Sequence, residues 1–450
     1  MTPDEIVALA KDRGVQLVRF LYCDNGGVIR GKSTHVDQLA RRMHSGIGLV
    51  KGMQSFTSLD FLAPDATYGP VGEIRLVPDP ETFVVLPYAP RSGQMVVNMI
   101  QLDQTPWALD PRSFLQRMVA RARDRELAFD AAFENEFYLA QRTDGGGYAP
   151  VDRSLCFSGI GMESTEPVIQ DIIAALTDQG LTVELSHPEL GWGQQELSIR
   201  HAPAVRAADH QITYRQTVRA VAAQHGLVAS LAPKPFADQA GSGAHVHWSV
   251  WDLAHKSNRL NDPEDPNGLS ALARSAIAGV LSHLPALLAL TTPSVNSFRR
   301  LQPHYWSSAY TAWGIENREA AVRVPSRYWD DPEGSMNLEL KASDASANPY
   351  ISLGGLMAAA LDGIDRRLDP GDPVDVDPGN LSAEELKRRG IRRFPETAQA
   401  ALDELERDTV LVDALGEPLA SEYLKVRRAE AAAYAEKDEA FELDNHFFKY

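Results

Sequence analysis

Two carboxylates one residue apart, Glu134 and Glu136, are the first chemically informative feature of this chain. The segment Phe129–Ala140 around them reads as a strand, and strand side chains alternate, so both acids project from one face. Neighbouring carboxylates on one face repel each other unless a cation lies between them. The same device recurs downstream. In Gln194–Arg200, residues Gln194, Glu196, Ser198 and Arg200 share a face, and Glu189 lies just upstream, after the strand Leu181–Ser186. In Ala244–Trp251 the polar set is His245, His247 and Ser249, and in Asn337–Lys341 it is Asn337, Glu339 and Lys341. Several carboxylates with one or two imidazoles suit hard divalent ions such as Mg²⁺ or Mn²⁺, and their number suggests two ions. Alternation alone fits a solvated sheet face equally well, so convergence of these strands requires a fold.

A second set of residues is cationic. Arg299-Arg300, then Arg318 and Arg323 within Glu316–Arg323, are suited to neutralising a transferred phosphate or gripping a carboxylate with two parallel hydrogen bonds. A glycine turn, Gly241-Ser242-Gly243, precedes the histidine strand. Divalent ions, arginines and a glycine turn together indicate phosphoryl chemistry with a nucleotide, held by something other than a Walker loop.

The elements that must position these groups divide near residue 105. From Val15 to Tyr88 short β-rich runs (Val15–Tyr22, Ile74–Val77, Thr82–Leu86) alternate with turns, and only Val36–Met43 reads as helix. A strand over Met95–Leu102 follows, and Asp110-Pro111 opens an amphipathic helix to about Glu126. The expected domains are therefore 1–105 and 106–450. In the second, helices over Glu166–Gln179, Ala207–His225, Leu269–Leu290 and Ser352–Arg366 are interleaved with alternating strands, a mixed arrangement around a sheet. Asp369–Asn380 is a loop by its Pro, Gly and Asp content, and Glu384–Lys437 reads as a charged helical tail with a solvated surface.

Composition narrows the partners. The 450 residues carry 44 basic and 61 acidic side chains, a formal net charge of −17, which opposes binding to nucleic acid or an anionic membrane surface. The best apolar run, Leu281–Leu290, is interrupted by His283 and Pro285, so no membrane span is expected. The two cysteines, Cys23 and Cys156, form neither a metal spacing nor a disulfide framework, and a reducing, cytoplasmic setting is expected.

Taken in order, the motifs resemble those of the type I glutamine synthetase superfamily over nearly the whole chain. They are Phe133–Phe137, His187–Glu196, Pro233–Phe236 followed by Gly241–His247, Asn296–Leu301, Glu316–Glu319 with Arg323, and Leu338–Lys341 running into Ala347–Tyr350. The resemblance implies an α+β protein with an N-terminal β-grasp-like domain and a C-terminal catalytic domain. It also implies a homo-dodecamer of two hexameric rings with sites between neighbouring subunits, and use of ATP with Mg²⁺ or Mn²⁺. Carried over by position, one metal site would use Glu136, Glu189 and Glu196, and the other Glu134, His245 and Glu339. Glu184, His247, Ser249, Arg318 and Arg323 match nucleotide or phosphate positions; Arg300 and Gly241 match positions that contact the amino-acid substrate.

Departures from the family pattern bear on the substrate. The flap glutamate that helps bind and deprotonate ammonium falls at Trp306, and no acid appears near Lys51–Ser55, where a neighbouring subunit's aspartate would complete the ammonium site. The adenylylation tyrosine is missing near Asn380–Ser382, a family asparagine is Ala240, one phosphate arginine is Asn337, and another substrate or phosphate arginine is Lys341. Ammonium has no apolar body and depends on carboxylates, whereas an organic amine recovers roughly 0.8 kcal/mol per buried CH₂ against an aromatic wall. The resemblance and these departures imply a ligase joining glutamate to a small organic primary amine through a γ-glutamyl phosphate, with Arg318, Arg300 and Trp306 in catalytic roles. Glu136, Gly241, Arg300, Trp306 and Lys341 would line the substrate site. A polyamine is disfavoured, because no acids are assignable to its distal charge. An ammonium-using glutamine synthetase and a non-catalytic scaffold or regulator are the alternatives.

Overall fold

The computed structural model describes residues 1–450. The N-terminal region carries helices α1 (Pro3–Asp12) and α2 (Leu39–Ser45) and six strands. These are β1 (Leu17–Cys23), β2 (Ile29–His35), β3 (Ile47–Val50), β4 (Glu73–Pro78), β5 (Val84–Val85) and β6 (Ser92–Ile100). The sheet order is β2-β1-β6-β4-β3, with β5 on β6; β1 and β6 run parallel and the other pairs antiparallel. The helix expected at Val36–Met43 begins as one 3-10 turn at Val36–Gln38 and continues as α2. The structure adds α1, opened by a reciprocal pair of bonds between Thr2 and Glu5; Thr-x-x-Glu followed by Ile6 is the signal that marks it.

Downstream come α3 (Pro111–Arg123), β7 (Leu127–Arg142), β8 (Tyr148–Pro150), α4 (Gly159–Asp178), β9 (Val183–Pro188), β10 (Gln194–Ile199) and β11 (Ala202–Pro203). They are followed by α5 (Ala204–Gln224), β12 (Val228–Ser230), β13 (Ala244–Asp252), α6 (Ala271–Thr291) and α7 (Ser297–Arg300). The last strands are β14 (Trp313–Ile315), β15 (Val322–Val324) and β16 (Leu338–Leu340), and α8 spans Pro349–Arg366. The second sheet runs β14-β15-β16-β13-β7-β10-β9, with β8, β11 and β12 pairing along the long central β7. Asp110 caps α3 by accepting from the N–H groups of Arg112 and Ser113, with Pro111 in the first turn. A large apolar core of 79 buried residues fills this region, while a separate core of 18 serves the N-terminal sheet, giving an α+β protein with two centres of packing.

Helix α6 is the one helix long and apolar enough to cross a membrane, and it is mostly buried inside the fold, packed on α8. The C-terminal stretch corrects one expectation. It forms α9 (Ala383–Arg388), α10 (Ala398–Arg407), α11 (Thr409–Leu415), α12 (Glu417–Ala435) and α13 (Glu439–Phe447), and it is not simply a solvated tail. Leu402, Leu405, Leu411, Leu419 and Tyr423 are buried, and Arg427 pairs with Glu430 out of solvent. Glu422 reaches Ser55 and the Thr67 N–H, and Glu430 accepts from the Ser58 N–H, so α12 ties the N-terminal domain to the rest. Arg427, Glu430 and Glu422 are the charges drawn into the fold, whereas α9 has no buried residue.

Candidate active site

The polar faces of the four strands meet because of their register. Glu196 of β10 stands opposite Glu136 of β7, His245 of β13 opposite Glu134, His247 opposite Glu339 of β16, and Arg323 of β15 opposite Glu339. Directly opposed residues on one face have Cβ atoms roughly 4.5–5.5 Å apart, so neighbouring strands place these groups side by side.

Two clusters result. His247 Nε2 is 3.3 Å from Glu134 Oε2 and 4.0 Å from Glu339 Oε1, and His245 Nδ1 is 3.0 Å from Glu134 Oε1 and 3.5 Å from Glu339 Oε1. In the second cluster His187 lies 3.2 Å from Glu196 and 3.6 Å from Glu189. Glu134, His247 and Glu339 form one group with metal-ligand spacing, and His187, Glu189 and Glu196 form the other. The grouping differs in detail from the sequence expectation. Glu136 does stand opposite Glu196 and near Glu189, as expected, but its oxygens also accept the Gly243 N–H at 2.9 Å and face His245 Nε2 at 3.7 Å. His187 was visible in its motif but not assigned, because its partner Glu196 is fixed only by the β9–β10 register.

The electrostatics are those of an acid-rich site. Burial, reinforced by the charges of Glu134 and Glu136, pushes Glu196 up to about 7 despite its bond to His187. Burial and Glu136 likewise raise Glu189. Burial opposes ionisation of Glu339, but Lys341 and the two histidines outweigh it and hold its carboxyl down at about 2. Burial also opposes charge on His247, yet Glu134 and Glu339 raise it to about 9. Like-charged carboxylates left to share protons are stabilised by a divalent cation, and this set of carboxylate oxygens and imidazole nitrogens fits ions of the Mg²⁺ or Mn²⁺ type.

Arg300 is buried beside this wall, its Nη2 3.0 Å from His245 Nε2 and its Nη1 donating to the Ser343 carbonyl. The glycine turn folds directly over it. A Cβ on Gly241 would lie 2.6 Å from Arg300 Cγ and 2.8 Å from the Pro233 carbonyl oxygen, so only glycine fits. Arg323 bonds Glu339, and Lys341 Nζ is 3.3 Å from the same carboxylate. Of the remaining expected residues, Ser249 is buried on the same face of β13 and accepts from the Trp251 indole. Arg318 is exposed on the turn between β14 and β15, and Glu184 on β9 pairs with Arg200.

Trp306 lies in a segment with unusual backbone. His304, Trp306 and Ser308 all have left-handed φ values, 66°, 55° and 63°, a conformation that non-glycine residues rarely adopt and that concentrates at functional sites. The segment is held by Ser307 Oγ donating to the Arg300 carbonyl at 2.8 Å, by His304 against Asp377 at 2.6 Å, and by the Trp306 N–H donating to Glu319 Oε1 at 2.7 Å. The indole itself is more than half exposed. Glu319, inside the Glu316–Arg323 motif, is a functional residue that its sequence pattern does not single out. It is only 7% exposed, and it lies two residues before Ala321, whose carbonyl accepts the Lys341 N–H.

The chain thus gathers carboxylates, imidazoles and arginines on the polar wall of a central sheet, with two groups at metal-ligand spacing, on an α+β double-sheet frame. The chain belongs to the glutamine synthetase family: residues 108–446 match the profile "Glutamine synthetase, catalytic domain" and residues 1–107 match "Glutamine synthetase N-terminal domain". It is a ligase of that family. Among its relatives is a gamma-glutamylpolyamine synthetase from Streptomyces coelicolor, 36% identical over 425 residues, covering 94% of this chain and 91% of the relative. A glutamine synthetase from Methanocaldococcus jannaschii is 33% identical over 441 residues, covering 96% and 94%. Among solved structures, one described as a novel glutamine synthase homolog superposes with a TM-score of 0.85 at 35% identity, covering 96% of this chain and 98% of that one. A GmaS/ADP complex superposes with a TM-score of 0.84 at 29% identity, covering 97% and 98%.

Proposed function

We propose that this ligase joins the γ-carboxylate of L-glutamate to an organic primary amine through a γ-glutamyl phosphate formed with ATP. The observation that carries the reading is Trp306 at the position of the ammonium-binding flap glutamate, beside an otherwise retained wall of carboxylates, histidines and arginines. Glu134, Glu339 and a histidine, His245 or His247, would hold one divalent ion, and Glu136, Glu189 and Glu196 the other. Bound there, such ions neutralise the phosphate charge that builds up as the phosphoryl group moves. Arg318 and Arg323, with His247, Ser249 and Glu184, would orient the nucleotide. Arg300, Gly241 and Lys341 would seat the amino acid; lysine supplies charge without the two-pronged grip of arginine.

Glu319 and Asp377 both contact the Trp306 segment, so acids for a cationic amine are at hand, and the Streptomyces relative is named for that class. Polyamines therefore join short alkylamines, ethanolamine and aromatic amines as candidate acceptors. The second reading, an ammonium-using glutamine synthetase, is favoured by the name of the Methanocaldococcus relative. We further propose that the protein works in the cytoplasm as a dodecamer of two hexameric rings, with neighbouring subunits completing the sites.

The test is ATP- and Mg²⁺-dependent phosphate release with glutamate, comparing ammonium with a panel of alkyl, hydroxyalkyl, aromatic and polyamines, with products identified by mass. An amide with one organic amine class is the expected result. Preference for ammonium would make it a glutamine synthetase, and silence throughout would favour a scaffold. Light scattering coupled to size exclusion reads the assembly.

A further inference from the structure

The family's ammonium-binding acid is replaced by an indole, yet a carboxylate is buried directly behind that indole's backbone. Glu319 sits on the turn joining β14 to β15. One of its oxygens, Oε1, takes the Trp306 N–H at 2.7 Å, and its other oxygen, Oε2, receives no hydrogen bond from the protein. The carboxylate is 7% exposed, and its second oxygen opens to solvent, where an incoming donor can reach it. The turn is braced from behind: Asn317 Oδ1 accepts the Glu319 N–H, while Asn317 Nδ2 donates to the carbonyls of Val374 and Val376. Two residues further on, the Ala321 carbonyl takes the Lys341 N–H, and Lys341 reaches Glu339 in the carboxylate wall. Glu319 thus stands beside the Trp306 segment, on the turn that leads into the strand carrying Arg323, the partner of Glu339.

We propose that Glu319 is the carboxylate that holds the incoming amine as its ammonium ion and takes its first proton, an assignment that rests on the ligase reading above. An N–H proton of R–NH₃⁺ passes to the Glu319 carboxylate, leaving R–NH₂ with a free electron pair. That pair attacks the carbonyl carbon of the γ-glutamyl phosphate, a C–N bond forms, and the C–O bond to phosphate breaks, its electrons leaving with the phosphate. The second N–H proton goes to the departing phosphate or to water. Burial raises the Glu319 carboxyl above the usual range, Asp377 adds to this, and the Trp306 N–H, His304 and Lys341 oppose it. A carboxylate shifted in that direction is a better base than an exposed one.

The test compares Glu319→Gln with the unsubstituted enzyme, using ethylamine and putrescine, which are cations at neutral pH, and hydroxylamine, which is not. Glutamine keeps an oxygen for the Trp306 N–H, so the segment stays held. The expected result is a loss of about 10²–10⁴-fold in kcat/KM with the cationic amines, a far smaller loss with hydroxylamine, and a narrowing gap as pH rises and free amine accumulates. Glu319→Asp should recover part of the amine activity. Equal losses on both kinds of nucleophile, or no loss, would overturn the assignment. An unsubstituted enzyme silent with every nucleophile, hydroxylamine included, overturns the ligase reading itself and this assignment with it.

Discussion

Arg323 donates from Nη1 to Oε2 of Glu339 at 2.6 Å across directly paired positions of β15 and β16. Glu339 is fully buried, so this guanidinium and Lys341 are its permanent counter-charges. Arg323→Met should cost less than the ~3–5 kcal/mol of a fully uncompensated buried charge, because Lys341 and two histidines still face Glu339. Urea unfolding measures it, and added Mg²⁺ should narrow the difference from the unsubstituted protein. An unchanged midpoint would show that Lys341 alone suffices.

Divalent ions should raise the midpoint of thermal unfolding. A ligand at a hundred times its Kd adds about 2.7 kcal/mol. Burial and neighbouring acids raise Glu196 and disfavour its charge, so Glu196→Gln should leave stability in chelator equal or higher while shrinking the Mg²⁺-dependent gain. If the gain persists in full, Glu196 is no ligand.

Trp306→Glu restores a carboxylate where the family has one. The ratio of kcat/KM for ammonium to that for the preferred organic amine should rise by at least roughly tenfold, the scale of a single specific contact of about 1.4 kcal/mol. An unmoved ratio removes Trp306 from the specificity wall.

Gly241→Ala places a methyl group against Arg300 and the Pro233 carbonyl. Overpacking of this kind costs about 1–3 kcal/mol in stability. The larger effect should be on glutamate, since displacing a positioned group by about 1 Å can cost 10²-fold in rate. Steady-state kinetics with glutamate varied would read it, and a change in stability alone would place Arg300 outside the substrate site.

His283 on α6 has both ring nitrogens against acids, Nδ1 2.6 Å from Asp408 and Nε2 3.1 Å from Asp362. Only the doubly protonated ring can donate to both. Burial opposes that charge, but the two carboxylates win and raise its pKa above 6.5. A raised folded-state value means that the stabilisation is complete below about 6.5 and is lost as pH climbs through the folded-state value. Melting temperature should therefore fall as pH rises above neutral, and His283→Gln should flatten that slope. An identical slope in the variant would assign the pH dependence elsewhere.

Much of the site could be read because a strand maps every second residue onto one face. Glu134, Glu136, Glu196, His245, His247 and Glu339 needed no more than that period and the family motifs to be singled out. What period two cannot supply is which strands are neighbours: His245 meets Glu134 across 111 residues of chain, and His187 meets Glu196 only through the β9–β10 register. Glu319 escaped notice for a related reason, since its approach to Trp306 depends on left-handed backbone at Trp306 and at Glu316, which side-chain chemistry does not announce. The burial of α12 was hidden by its composition. Arg427 and Glu430 look like solvated charges until their mutual bond is seen.

The fastening of the N-terminal domain by α12 has a consequence for how the chain is made. Ser55 and Glu422 are separated by 367 residues, so the ribosome must work for about 20–70 s after the first before it supplies the second, at roughly 5–20 residues per second. Through that interval the small β-grasp-like sheet has its own core to hold it together but an unfilled flank. The nascent chain is then most exposed to chaperones and to mispairing with neighbouring polysomal chains, and synthesis of α12 ends that exposure.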